Sequence, residues 1–174
     1  LWFHAGLLVV EGQKMSKSLG NIYTLEDVAK KGFRPLVLRY LFLTAHYRQK
    51  LNFTWQGLGA ANIAYQKLGE LVGQWRQGGG RKTVGQEEVA KIDAFKNKFQ
   101  NFINDDLKIP EALAIVWEVA KSNLPDGDKL DLILDFDQVL GLDLAKVEAM
   151  EIPQEIEKLA KERETLRKQN KWQE

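Results

Sequence analysis

Residues 54–76, which read Thr-Trp-Gln-Gly-Leu-Gly-Ala-Ala-Asn-Ile-Ala-Tyr-Gln-Lys-Leu-Gly-Glu-Leu-Val-Gly-Gln-Trp-Arg, decide the fold class of this chain. Apolar side chains recur there at steps of three and four residues, at Leu58, Ala61, Tyr65, Leu68 and Val72. This is the repeat of a helix that buries one face. Three consecutive glycines at 78–80 cannot support a helix and should end it. The stretch therefore predicts a long amphipathic helix.

The same periodicity continues downstream. Helices are predicted over about 86–103, from Pro110 onward, over about 130–140, and after Pro153. A turn is predicted at 125–127. The helix that follows this turn should end at Gly141. Antiparallel helices joined by short turns predict a bundle. Its core should include aromatic residues at helical spacing, namely Trp55, Trp75, Phe95, Phe99, Phe102 and Trp117. The alternative is that these rings are exposed platforms on which bases stack.

Upstream, the pattern is mixed. Residues 6–11 favour a strand, and residues 12–21 are polar and bracketed by glycines, which predicts a loop. Thr24 can cap a short helix that stops at Gly32, and Pro35 can open a buried helix whose apolar stripe is Leu36, Tyr40, Leu43 and Tyr47. The predicted class is mainly α: a small strand–loop–helix segment over 1–53, followed by an antiparallel helical bundle over 54–174.

Composition excludes several classes of protein. The chain has 174 residues, 44% hydrophobic and 28% charged, which is typical of a globular protein. It has no cysteine, so a disulfide scaffold, a cysteine nucleophile and a thiolate metal site are excluded within it. No apolar run is long enough to cross a membrane. The net charge of +1 conceals a gradient: the first 60 residues carry eight lysines and arginines against three acidic residues. This first third is suited to face an anion.

The most informative stretch is the loop at residues 14–18, Lys-Met-Ser-Lys-Ser. Two ammonium groups, two hydroxyls and nearby glycines allow such a loop to wrap phosphate oxygens. It is not a Walker loop, because Ser16 stands where the second glycine is required. The alternative is a solvated basic turn without a ligand.

Lys-Met-Ser-Lys-Ser is also the signature loop of class I aminoacyl-tRNA synthetases, and the surrounding sequence resembles the cysteinyl-tRNA synthetase family. The resemblance rests on five further stretches: Trp2-Phe3-His4-Ala5-Gly6, Leu19-Gly20-Asn21, Leu38-Arg39-Tyr40, Ala45-His46-Tyr47-Arg48 and Leu51-Asn52-Phe53. Asn104-Asp105-Asp106-Leu107 and Pro110-Glu111-Ala112-Leu113-Ala114 look like that family's helical domain. The mycothiol-pathway cysteine ligase is a close relative that these motifs do not separate.

This resemblance implies a set of residue roles. Lys17 and Lys14 would be the catalytic residues, and Lys14, Met15, Ser16, Lys17 and Ser18 would bind ATP. It further implies ATP with Mg as cofactor, tRNA(Cys), ATP and cysteine as partners of the full-length parent, and a cytoplasmic protein with no membrane partner. Residues 1–53 would be the end of the catalytic domain with a stem-contact region, and 54–174 a tRNA-binding helical domain.

Weaker candidates flank the loop. Trp2 and His4 could line the active-site floor, although a histidine packed beside an aromatic ring is an alternative for His4. His46 and Arg48 could contact tRNA, or His46 could be a hydrogen-bonded structural histidine. Asp105 and Asp106 are expected to bound helices, and no metal site is expected.

Parts of the resembled enzyme are missing from the sequence. It contains neither the family's His-x-Gly-His motif nor the cysteine that helps to hold its zinc ion. It begins at Leu1 and ends without a helix cap, so we expect a C-terminal fragment, truncated at its own C-terminus and inactive alone. A standalone helical tRNA- or RNA-binding module that kept the loop as a phosphate clamp is the alternative.

Overall fold

The structure is a computed structural model that describes residues 2–78 and 85–146. Its first elements form a three-stranded sheet of β1 (Leu8–Val10), β2 (Gln13–Lys14) and β3 (Leu51–Phe53). The strand order is β2-β1-β3; β1 pairs antiparallel with β2 and parallel with β3. Only two residues separate β1 from β2, and both have positive φ, +48° at Glu11 and +77° at Gly12, the backbone of a tight hairpin turn.

This sheet corrects the sequence interpretation in two places. The strand predicted at 6–11 is confirmed but shorter, and the loop predicted over 12–21 begins with a second strand, β2. The third strand, β3, was not predicted at all. Both missed strands are too short to show an alternating pattern, and they form because β1 offers backbone partners on each side.

Two short helices follow the hairpin. The first, α1 (Leu25–Lys30), is held by a capping box in which Thr24 and Asp27 satisfy each other's backbone N–H groups, as predicted. The second, α2 (Pro35–Leu43), opens at the predicted proline. It ends before Tyr47, so the predicted stripe is wrong at that residue; its buried residues are Val37, Tyr40 and Leu41.

The bundle consists of α3 (Trp55–Gln77), α4 (Gln86–Asn104), α5 (Ile109–Lys121) and α6 (Asp126–Leu140). These bounds confirm the predicted helices, and the mainly α class is confirmed with them. The turn predicted at 125–127 is wrong after Pro125, because Asp126 and Gly127 already belong to α6. Gly141 ends α6 in the left-handed conformation, as expected. The helix predicted after Pro153 and two of the three glycines at 78–80 lie outside the described residues.

One continuous apolar core joins the two parts of the chain, drawing on the sheet and on all six helices from α1 to α6. Among the predicted core aromatics, Trp75 and Phe99 are buried, and Phe99 stacks on Phe136 with ring centroids 4.0 Å apart. The other four are partly buried and pack against this core: Trp55, Phe95, Phe102 and Trp117. Packing was therefore the right interpretation of these rings.

The segment after α6, residues 141–144, is fixed by buried polar contacts. The two Asp137 carboxylate oxygens accept from the backbone N–H groups of Leu142 at 2.7 Å and Leu144 at 2.8 Å. Tyr65 of α3 donates its hydroxyl to the Leu142 carbonyl at 2.9 Å. Arg39 of α2 donates its Nε to the Leu140 carbonyl at 2.6 Å, at the negative end of the α6 dipole. These bonds fasten the end of the bundle to both α2 and α3.

Across the described ranges, no helix combines the length and hydropathy that a bilayer crossing requires.

Candidate phosphate-binding loop

The base of the loop at residues 14–18 is built into the sheet. Lys14 lies in β2 opposite Val9 of β1. The hairpin turn that precedes it is tied to β3, because Gly12 donates its backbone N–H to the Asn52 side-chain carbonyl at 2.8 Å. The first residue of the loop is therefore held by the three-stranded sheet.

Ser16 organises the middle of the loop. It caps a 3₁₀ turn over Lys17–Leu19, accepting the Leu19 N–H on its hydroxyl at 3.3 Å. The Ser16 and Ser18 hydroxyls lie 3.1 Å apart, within hydrogen-bond distance. Gly20 ends the turn with a φ of +63°, a conformation that glycine adopts without strain. Ser16 thus fixes the backbone from which the Lys17 side chain extends.

Asn21 closes the loop from its far side. Its side-chain carbonyl accepts the Ser16 N–H at 2.8 Å, and its amide donates to the Lys14 carbonyl at 3.2 Å. One carboxamide therefore spans both ends of the Lys14–Ser16 segment.

The two lysines carry the loop's free charge. Lys14 and Lys17 are exposed, and neither ammonium group has an acidic partner among the described residues. Met15, between them, is partly buried and packs against the core. An anchored backbone with two unneutralised ammonium groups and two hydroxyls can bind a polyanion such as a chain of phosphates.

The residues before β1 are mostly open to solvent. Trp2 is 92% exposed and His4 is exposed as well. The alternative that His4 is packed beside an aromatic ring is therefore wrong; the prediction that these two residues line an active-site floor stays a prediction. Phe3 stacks on Tyr47, with centroids 4.5 Å apart.

His46 and Arg48 belong to a second polar cluster, centred on Asp106 after α4. His46 Nε2 lies 2.9 Å from the Asp106 backbone carbonyl and must donate to it. Arg48 Nη2 contacts an Asp106 carboxylate oxygen at 2.9 Å, and the Tyr47 hydroxyl donates to the same oxygen at 2.6 Å. The structural alternative for His46 is confirmed, as is the placement of Asp105 and Asp106 at a helix end. Contact of His46 and Arg48 with tRNA stays a prediction.

These hydrogen bonds shift the ionisation of the cluster. The Tyr47 hydroxyl, followed by the Arg48 guanidinium, lowers the pKa of Asp106 below its usual range. The same bond to Asp106 raises the pKa of Tyr47. The cluster is therefore an ion pair extended by a neutral tyrosine at neutral pH.

The described part of the chain does not present the donor set of a zinc site. It has no cysteine, and both ring nitrogens of His46 are engaged, since Nδ1 accepts the Arg48 N–H at 3.3 Å. Within residues 2–78 and 85–146, no three His, Cys, Asp or Glu side chains converge as metal ligands.

Sequence reasoning missed Asn21, Asn52 and Asp106 as supporting residues. The contact of Asn52 with Gly12 depends on pairing between β1 and β3, and the contacts of Asn21 depend on the path of the loop back toward Lys14 and Ser16. Asp106 has a φ of +54°, a conformation that aspartate adopts more readily than most residues, but nothing in the sequence indicated its partners 60 residues upstream.

The sequence is similar to that of known proteins along nearly its whole length. Residues 1–62 match the family model described as the class I (C) tRNA synthetase catalytic domain. The chain is 38% identical to cysteine–tRNA ligase 1 of Burkholderia lata, over 98% of this chain and 35% of that protein. It is 33% identical to cysteine–tRNA ligase of Chlamydia abortus, over 98% of this chain and 38% of the relative. A third cysteine–tRNA ligase, from Chlamydia felis, is 34% identical over 98% of this chain and 38% of its own length.

The chain thus spans between a third and two fifths of these relatives, while they account for nearly all of it. The matched region contains the loop, the sheet that anchors it and the helices behind it. On this similarity, the chain belongs to the cysteine–tRNA ligase family and corresponds to one segment of its members.

Proposed function

We propose that this chain acts as the segment of a cysteine–tRNA ligase that binds ATP phosphates through the Lys14–Ser18 loop and supports tRNA through its helices. The parent enzyme would activate cysteine with ATP and transfer it to tRNA(Cys). One observation carries the proposal: the loop has a backbone anchored to the sheet, yet it leaves Lys14 and Lys17 exposed and unneutralised.

The chemistry gives these residues distinct roles. The cysteine carboxylate attacks the α-phosphorus of ATP, the bond from that phosphorus to the bridging oxygen breaks, and pyrophosphate leaves with the electron pair. Negative charge grows on the leaving phosphates, so a positioned ammonium group stabilises the transition state more than the ground state. Lys17 is the proposed catalytic residue, and Lys14 adds a second charge at the loop base. Met15, Ser16 and Ser18 hold the loop, and the hydroxyls and backbone N–H groups offer further donors.

The remaining assignments belong to the same proposal. Residues 1–53 would complete a catalytic domain, with Trp2 and His4 at its floor, and residues 54–174 would form the tRNA-binding domain, with His46 and Arg48 near the junction. Mg²⁺ would arrive bound to ATP. The sequence has no cysteine, so the cysteine ligand of the family's zinc ion would have to come from elsewhere in the parent. A cytoplasmic location follows from a role in translation.

The test of the loop is pyrophosphate exchange into ATP, measured with the complete synthetase that carries these residues. We expect Lys17→Ala to lower the exchange rate about 100-fold or more, since one preorganised donor at a developing charge contributes that much. Lys121→Ala, at an exposed lysine near the end of α5, is the matched control and should leave the rate unchanged. Equal rates for the Lys17 variant and wild type would refute the assignment.

The nucleic-acid partner can be tested on this chain alone. The first 60 residues carry eight lysines and arginines against three acidic residues, whereas the rest of the chain is net negative, so the first 60 should contact tRNA phosphates. We expect the logarithm of the tRNA affinity to fall with the logarithm of salt concentration, with a slope of about −0.7 to −0.9 per phosphate contacted. A salt-independent affinity would contradict phosphate contacts. Cysteine transfer by the parent to an amino sugar instead of tRNA would favour the mycothiol-pathway alternative.

A further inference from the structure

The Asn21 carboxamide is the one side chain that bonds to two points of the loop backbone among the described residues. It accepts from the Ser16 N–H and donates to the Lys14 carbonyl, at 2.8 and 3.2 Å. The two bonds clasp the peptide groups on either side of Met15. Asn21 is half-buried, so water competes with these bonds less than it would at a fully exposed site.

Asn21 is connected to Lys17 through Ser16. Asn21 fixes the Ser16 backbone, and the Ser16 hydroxyl caps the 3₁₀ turn that begins with Lys17. The other anchor of the hairpin, Asn52, holds only Gly12 at the opposite end. Without Asn21, the Lys14–Ser16 segment would keep its strand pairing at Lys14 but lose the bond that sets the direction of the chain into the turn.

We propose that Asn21 is a positioning residue for Lys17: its carboxamide holds the loop backbone so that the Lys17 ammonium group meets the ATP phosphates in the transition state. The inference rests on the proposed function of the loop and adds a residue that touches no substrate. Displacement of a catalytic group by about 1 Å can cost about 100-fold in rate, so a clasp of this kind has a measurable effect.

A double-mutant cycle between Asn21 and Lys17 tests the inference in the complete synthetase. We expect Asn21→Ala to lower kcat for pyrophosphate exchange about 10- to 100-fold with a smaller change in the KM for ATP. In a Lys17→Ala background the same substitution should change kcat less than about threefold, because the group that it positions is gone. A structural role unrelated to Lys17 would lower kcat by the same factor in both backgrounds.

Two further variants keep the test decisive. Asn21→Asp retains the acceptor for the Ser16 N–H but cannot donate to the Lys14 carbonyl, so its kcat should lie between wild type and Asn21→Ala. It also serves if the alanine variant does not fold. Asn97→Ala, at an exposed asparagine of α4, is the control and should behave as wild type.

The outcomes separate the inference from the function beneath it. Absence of exchange in the wild-type enzyme, or normal exchange in Lys17→Ala, would overturn the proposed function and this inference with it. The inference alone would be overturned if Lys17→Ala lowers exchange as expected but Asn21→Ala has no effect. It would also be overturned if the effect of Asn21→Ala adds in full to that of Lys17→Ala. Loss of the Asn21 effect in the Lys17→Ala background would support it.

Discussion

Replacement of Asp137 by asparagine should destabilise the chain, because this buried carboxylate fixes the segment that closes the bundle. Asp137 is 8% exposed, and its two oxygens accept from the N–H groups of Leu142 and Leu144. Asparagine has the same shape but only one acceptor oxygen. It can satisfy one of these N–H groups, and its own amide must then face the other.

The magnitude follows from the bonds that are lost. A hydrogen bond to a charged group contributes about 1.5–3 kcal/mol, and the bond that remains becomes neutral and roughly half as strong. We therefore expect Asp137→Asn to lower the free energy of unfolding by about 2–4 kcal/mol. Leu142 and Leu144 are fully buried, so their apolar contacts would loosen with the segment.

Urea denaturation followed by circular dichroism measures this loss. With an m-value of about 2 kcal/mol/M, the midpoint should fall by about 1–2 M. Asp135→Asn is the matched control: it lies on the same helix, is exposed, and should change stability by less than about 0.5 kcal/mol. Equal midpoint shifts for the two variants would refute the assignment of a structural role to the Asp137 carboxylate.

Two other perturbations test the contacts of residues 46–49, the segment that precedes β3. Tyr47 lowers the pKa of Asp106, so the charged Asp106 adds stability above about pH 4, its unfolded pKa, and this contribution is lost as the pH falls through the lower folded pKa. Thermal melts should show Asp106→Asn less stable than wild type at pH 7 and the difference shrinking toward pH 2; a constant difference would contradict the linkage. Gly6→Ala should lower Tm by about 3–10 °C, since the added methyl would lie 2.1 Å from the Gln49 carbonyl oxygen. Gly59→Ala, whose methyl would meet no heavy atom within 4 Å on a helix, should leave Tm unchanged or raise it.

The bundle was predictable because its helices are long. Each of α3 to α6 repeats its apolar spacing over three or more turns, so a single irregular position does not hide the pattern. Pro110 marks the start of α5 because it has no backbone N–H, and Gly141 marks the end of α6 because it adopts the left-handed conformation. In α2 the boundary was missed by several residues. Its apolar run continues to Tyr47, but the chain turns after Leu43 and Tyr47 instead stacks on Phe3.

The sheet and the site's support were only partly predictable. The loop itself was recognisable from residue types, since lysines and hydroxyls between glycines suit phosphate. Its anchors were not, because Asn52 meets Gly12 across 40 residues, and that contact exists only once β3 pairs with β1. Asp137 likewise resembles an ordinary helix-surface acid in sequence; its burial depends on how the chain returns after Gly141.

The bond from Arg39 to the Leu140 carbonyl has a consequence for synthesis on the ribosome. The two residues are 101 positions apart. At about 5–20 residues per second, the partner of Arg39 is made about 5–20 s after Arg39 itself. For that interval Arg39 lacks its acceptor, so the bond that ties α2 to the end of α6 can form only after nearly all of the bundle has been synthesised.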